Sequence, residues 1–303
     1  MLARKKEDRF KILLADDGSE HAKSARELVG DLPFPTGSEV TVLRAFASTQ
    51  AADLAPLEMA LNQSCTWLQE KGLQARPELL LGSPAEKIVE YAETYKPDLI
   101  VMGAKGLRAT FGILLGGVAQ QVVEYAVCPV LVVRAPYHEL RRILLVTEGS
   151  PSSQQAMQYL GSLALPGEAK VEVMHVLAPP PIHMVLENTN FGTMQVTTPE
   201  LVMEAETALR EKEERDGQAL LDSAVEALRS LGLTASSVLK RGDAATEIIE
   251  YVKEQKIDLI VTGSRGLGQI RSWLMGSVSR KLVHYSGCSV LVVRSQEIKH
   301  EVH

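Results

Sequence analysis

The sequence is most informative first in what it lacks. Cysteine is scarce: Cys65, Cys128 and Cys288 are odd in number and show no Cys-x-x-Cys spacing. That excludes a disulfide framework and a zinc site built on thiolates. No apolar run reaches the roughly 20 residues that span a bilayer. The opening MLARKKEDRF is charged with no apolar stretch behind it, so no secretory leader and a cytoplasmic location are expected. There is no surplus of positive charge either. With 32 Lys and Arg against 38 Asp and Glu, the net charge of −6 argues against a nucleic-acid partner. Also missing are His-Glu-x-x-His, Gly-x-Ser-x-Gly and any paired-carboxylate arrangement, so no catalytic residue is assigned and no enzymatic activity is expected. His175 falls on a predicted buried strand, where a satisfied core histidine is the ordinary reading.

What is present is a repeat. KILLADDGS (Lys11–Ser19) returns as RILLVTEGS (Arg142–Ser150), an offset of 131 residues. SPAEKIVEYAETYKPDLIVMGAKG returns as DAATEIIEYVKEQKIDLIVTGSRG, and CPVLVVR as CSVLVVR, both at an offset of 160. The chain is a tandem duplication, with domains expected over 1–137 and 138–303, and the second copy carries 29 extra residues, the difference between the offsets. That surplus is placed near 178–207. It comprises a Pro-rich loop over Ala178–Thr198 and the start of a long charged helix from about Pro199.

Within each copy, short β-branched runs alternate with amphipathic segments. Phe10–Ala15, Val40–Ala45, Glu78–Leu81, Asp98–Met102 and Val130–Arg134 read as strands of a parallel sheet covered on both faces. Helices are predicted near His21–Gly30, Ala51–Lys71, Pro84–Tyr95 and Gly116–Tyr125. On the third, Ile88, Tyr91 and Ala92 form the buried stripe. This is an α/β, doubly wound pattern, which binds ligands at the carboxyl ends of its strands.

The segment from Gly263 to Ser279 is not a dinucleotide fingerprint, because Arg271 stands where a third glycine is needed. Its order is instead strand, Gly263-x-x-Gly266, nine residues, then Gly276-Ser277 at a helix start. Glycines leaving a strand let the backbone approach a ligand closely. The unpaired N–H groups of the helix start favour an anion. Arg265 would add charge, and Ser277 and Ser279 hydroxyl donors, in a phosphate cradle without a Walker lysine.

The full spacing, together with ILLADDGS and CSVLVVR and repeated in both halves, resembles the universal stress protein family, UspA-type. The resemblance implies two tandem flavodoxin-like/Rossmann-like domains, each a five-stranded parallel sheet of order 3-2-1-4-5, joined as an intramolecular pseudo-dimer through their last strands. Further homodimerisation stays open. It also implies binding of ATP or a relative (ADP or AMP), possibly with Mg²⁺, in a nucleotide-responsive stress or regulatory protein. Carried onto the second copy, the resemblance puts phosphates at Gly263, Arg265, Gly266, Gly276, Ser277, Val278 and Ser279. Val146, Thr147, Glu148 and Val176 would line the nucleoside end, with Glu148 standing where the family usually has Asp. The matching positions of the first copy are Asp17, Ala45, Gly103, Lys105, Gly106, Gly116, Gly117, Val118 and Ala119. There Gly117 and Ala119 lack both hydroxyls, so the second copy is expected to be the main site. Asp17 and Glu148 also stand where an N-cap is wanted, a role compatible with ligand contact. Two alternatives are a scaffold that uses the 178–198 loop as a partner surface, and slow ATP hydrolysis, for which no general base is evident.

Overall fold

The computed structural model describes residues 9–46, 54–107, 114–179, 199–266 and 275–294. In the first half, β1 (Lys11–Ala15), α1 (Glu20–Asp31), β2 (Glu39–Phe46), α2 (Leu54–Glu70) and β3 (Gln74–Leu81) are followed by α3 (Pro84–Tyr95), β4 (Leu99–Gly103), α4 (Gly117–Tyr125) and β5 (Val130–Val133). The second half repeats the order: β6 (Arg142–Val146), α5 (Pro151–Ser162), β7 (Lys170–Leu177), α6 (Pro199–Ser230), β8 (Thr234–Arg241), α7 (Ala244–Gln255), β9 (Leu259–Gly263), α8 (Ser277–Tyr285) and β10 (Ser289–Val293).

The central strands β1, β4, β5, β6, β9 and β10 are short apolar runs buried along nearly their whole length, and α3 buries Ala85, Ile88, Tyr91 and Ala92, the stripe its periodicity marks. Pro84 opens α3, where its missing N–H removes no helical bond. Part of the surplus of the second copy appears as helix length: α6 has 32 residues where α2 has 17. At 1.5 Å per residue that is a helix of about 48 Å. The 178–198 loop lies almost wholly outside the described residues.

Two separate sheets are not what forms. The ten strands make one sheet, β3-β2-β1-β4-β5-β10-β9-β6-β7-β8, so each half keeps the 3-2-1-4-5 order and the last strands meet. That seam is the antiparallel pair β5–β10, with Leu131 opposite Leu291 and Val132 opposite Val290; every other pair is parallel. Left open, each half would expose an apolar edge strand able to template aggregation. Pairing the edges removes it, and alternation along the strands sends Leu131 and Leu291 to one face and Val132 and Val290 to the other. Two cores therefore run unbroken across both halves. All carboxyl ends of the strands within a half point the same way, and the strand order reverses once in each half, the place where such sheets bind ligands.

Candidate nucleotide-binding clefts

In the first half a cleft of about 290 Å³ opens over the ends of β1, β2 and β4. Its apolar wall includes Leu43, Ala45, Ile88 and Met102, and its loop wall is Gly103–Gly106 with Gly116–Ala119. Both walls follow from local sequence. Gly103 is a glycine because a Cβ there would stand 2.7 Å from the backbone carbon of His21, so it lets α1 lie on β4. The loop then closes through Gly116 N donating to Ala104 O at 2.8 Å. Gly116 has extended dihedrals and makes no side-chain cap bond, so the first turn of α4 has no side chain satisfying its N–H groups. Gly117 is exposed, with open space where its side chain would be.

Asp17 spans the cleft's rim. Its carboxylate accepts from Ser19 N at 3.0 Å and from Leu107 N at 3.1 Å, tying the β1–α1 turn to the Gly-rich loop. A Cβ on Gly106 would lie 2.5 Å from Asp17 Oδ2, so that tie depends on the glycine. Capping of α1 falls to Ser19, whose Oγ accepts from Ala22 N and donates to Lys105 O. Capping of α5 falls likewise to Ser150, which accepts from Ser153 N. The carboxylates at 17 and 148 are thus not the caps. Burial pulls the His21 imidazole below its usual pKa, and the nearby charges of Lys105 and Arg134 act in the same direction.

Sequence reasoning passes over a buried ion pair at this cleft. Arg44 donates from Nε to Asp16 O at 2.7 Å and from Nη2 to Asp16 Oδ1 at 3.1 Å; Ser64 Oγ donates to Asp16 Oδ2, and Arg26 to Ser64. Both charged side chains are less than a tenth exposed. The available signal was a lone arginine in the apolar strand VTVLRAF beside the doubled aspartate of LADD. In the second copy the four partners become Thr147, His175, Ala224 and Met157, so the whole network is replaced. There His175 Nδ1 lies 2.9 Å from Thr147 O, and Thr147 Oγ1 donates to Ser153 Oγ.

The second copy places its residues similarly but partners them differently. Val146 and Thr147 are buried at the end of β6, and Val176 is half-buried against the core. Glu148 turns back to accept a hydrogen bond from Ser150. Burial pushes its carboxyl above the usual range, with Ser150 and His175 pulling the other way. Gly263 is the packing glycine again, since a Cβ would meet Ser152 at 2.6 Å. Arg265 donates from its backbone to Ser152 Oγ, and Gly266 is exposed. Gly276 caps α8 without a side-chain bond, Ser277 is exposed in its first turn, and Val278 packs on the core.

One assignment is corrected. Ser279 is buried and its Oγ donates to Gly263 O at 2.7 Å, so its proton staples α8 to β9 and is not offered to a phosphate. Ala119 fills the same buried place in the first copy. Among the described residues the two helix starts therefore differ by one exposed hydroxyl, Ser277 against Gly117, and not by two. Trp273 and Leu274 of the intervening loop lie outside the described residues; Met275 is buried.

No helix among the described residues is long and apolar enough to cross a membrane. No group of three or more His, Cys, Asp or Glu among them could hold a metal ion.

The model of the Universal stress protein family matches this chain twice, over residues 9–134 and 139–294. The chain is 30% identical over 153 residues to universal stress protein YxiE of Bacillus subtilis, covering 50% of this chain and 98% of that relative. It is 48% identical over 163 residues to universal stress protein MJ0531 of Methanocaldococcus jannaschii, covering 54% and 87%. A solved universal stress protein from Archaeoglobus fulgidus, 21% identical, shares the fold across 97% of this chain and 98% of its own, with a TM-score of 0.60. Two matched domains in one continuous sheet leave no ambiguity of class: the chain belongs to the universal stress protein family, as a tandem member.

Proposed function

We propose that this protein binds an adenine nucleotide, ATP or a relative, and acts as a non-enzymatic nucleotide-responsive regulator. The observation that carries the reading is the cleft of about 290 Å³ over the first half, apolar at one end and ringed by glycine backbone and an uncapped helix start at the other. That volume is near the lower bound for small-molecule sites. The apolar end, with Ala45, would take the nucleoside, and the N–H groups from Gly117 and Val118 with Gly106 and Lys105 would take phosphates. The second cradle offers the same backbone plus Ser277 and Arg265, so both halves are candidates. Any Mg²⁺ would arrive with the phosphates. The bound nucleotide would supply negative charge at each cradle; among the described residues no group beside either cradle is aligned as a base for hydrolysis.

Calorimetric titration of the whole chain with ATP, ADP and AMP, with and without Mg²⁺, tests this. Two further chains divide the sites: Gly117→Asp and Ser277→Asp each put a carboxylate where a phosphate would sit, and Asp at a helix start favours the fold. Heat lost in one variant only assigns the site to that half. No heat with any nucleotide, at concentrations that detect millimolar affinity, refutes the reading.

A further inference from the structure

Two arginines close the last strands of the two halves, Arg134 after β5 and Arg294 after β10. Each reaches across the seam into the other half. Arg134 Nη2 donates to Val283 O at 2.8 Å and His284 O at 3.4 Å, in the last turn of α8. Arg294 Nη2 donates to Val123 O at 2.9 Å and to Glu124 O, in the last turn of α4. A guanidinium at a helix C-terminus satisfies carbonyls without helical partners and opposes the negative end of the dipole. These are the two helices whose opposite ends form the cradles.

Arg134 does one thing more. Its Nη1 donates to Leu114 O, two residues before the Gly116 cap of α4 in its own half. One rigid planar cation thus holds both the approach to the first cradle and the tail of the second cradle's helix. Its backbone N–H also donates to Ser289 Oγ across the seam, which fixes where the side chain starts. The fork can meet Leu114 O and Val283 O together only when loop and helix sit in one relative position. Losing either carbonyl leaves a charged donor unpaired in a half-buried place.

We propose that Arg134 is a positioning residue coupling the two cradles, so that filling the first cleft orders α8 of the second domain. The proposal rests on the nucleotide reading of the first cleft. A ligand that immobilises Leu114–Gly116 holds Arg134 in the geometry that α8 needs, and the ordering is not repeated when a second ligand binds. By thermodynamic reciprocity, a ligand at the second cradle strengthens the first site by the same factor.

The test uses the whole Ser277→Asp chain, in which ATP can occupy the first cleft alone, and follows amide hydrogen exchange along Arg280–Tyr285. Saturating ATP is expected to slow that exchange about fivefold or more, the lower end of ordinary coupling. In Arg134→Gln on the same background, ATP still binds but the slowing is lost. If Arg134→Gln fails to fold, Arg134→Lys serves, since one ammonium on a flexible stem cannot span both carbonyls. Bound ATP with unchanged α8 exchange overturns the coupling, as does slowing that persists in both variants. Absence of ATP heat overturns the first-cleft reading itself, and the coupling falls with it.

Discussion

Placing a serine at position 117 supplies at the first helix start the hydroxyl that Ser277 presents at the second. Gly117 has a negative φ and no atom within 4 Å of where a Cβ would stand, so Gly117→Ser carries no steric or backbone penalty. It leads α4, where serine is a better helix residue than glycine by roughly half a kcal/mol. For a half-chain unit that corresponds to a rise in Tm of about 1–2 °C. A hydroxyl donating to a charged phosphate contributes about 1.5–3 kcal/mol, or roughly 10- to 150-fold in Kd. The assay is calorimetric titration with ATP in the Ser277→Asp background, so that only the first cleft reports. A Kd at least tenfold lower with the small gain in Tm is the expected result. Unchanged affinity with the stability gain intact would refute the reasoning, because the hydroxyl would then stand at α4 without meeting the ligand. Weakened affinity would refute it differently, by showing that the ligand occupies the space the glycine leaves.

Other outcomes follow from the same geometry. Asp16→Ala should destabilise the first half by about 3–5 kcal/mol in chemical denaturation, because it strands Arg44 as a buried unpaired charge; the matching Thr147→Ala should cost far less. Gly103→Ala and Gly263→Ala should each cost about 1–3 kcal/mol by pressing a methyl into α1 or α5, with the cost read as a lower midpoint in urea. Glu148→Gln should stabilise the fold at neutral pH. Burial raises the folded pKa of Glu148 above its unfolded value, so its charge costs stability as pH rises through that raised value. The advantage of the glutamine should vanish below the ordinary carboxylate pKa, checked by urea midpoints across that range. Burial pushes the thiols of Cys128 and Cys288 up to about 12 and that of Cys65 to about 11. A thiol-exchange reagent at neutral pH should therefore find almost no reactive cysteine until the chain unfolds, when all three should titrate.

The duplication, the alternation of strand and helix, and the family resemblance were legible because each depends on local pattern. A four- to six-residue apolar run bounded by turn residues is too short for a helix and reads as a covered strand, and Ile88, Tyr91 and Ala92 fall on one face of any helix. The glycine spacing located the cradles for the same reason. Roles within the cradles were not local. Gly103 and Gly263 sit in the motif because a helix from elsewhere in the chain presses on them, and Ser279 spends its proton on Gly263 across the turn. Asp16 and Arg44 stand 28 residues apart, and only the pairing of β1 with β2 makes them a buried ion pair.

By itself, then, the sequence determined that this protein is two copies of one α/β unit with a glycine cradle in each, since period, spacing and propensity act over a few residues. The tertiary structure decided the rest. It fixed β5 and β10 as an antiparallel pair with Leu131 opposite Leu291, and it buried Ser279 while leaving Ser277 exposed. It also set Arg134 between one cradle's approach and the other's helix. Those outcomes depend on which distant groups meet, and burial makes an unmet hydrogen bond or charge too costly to leave.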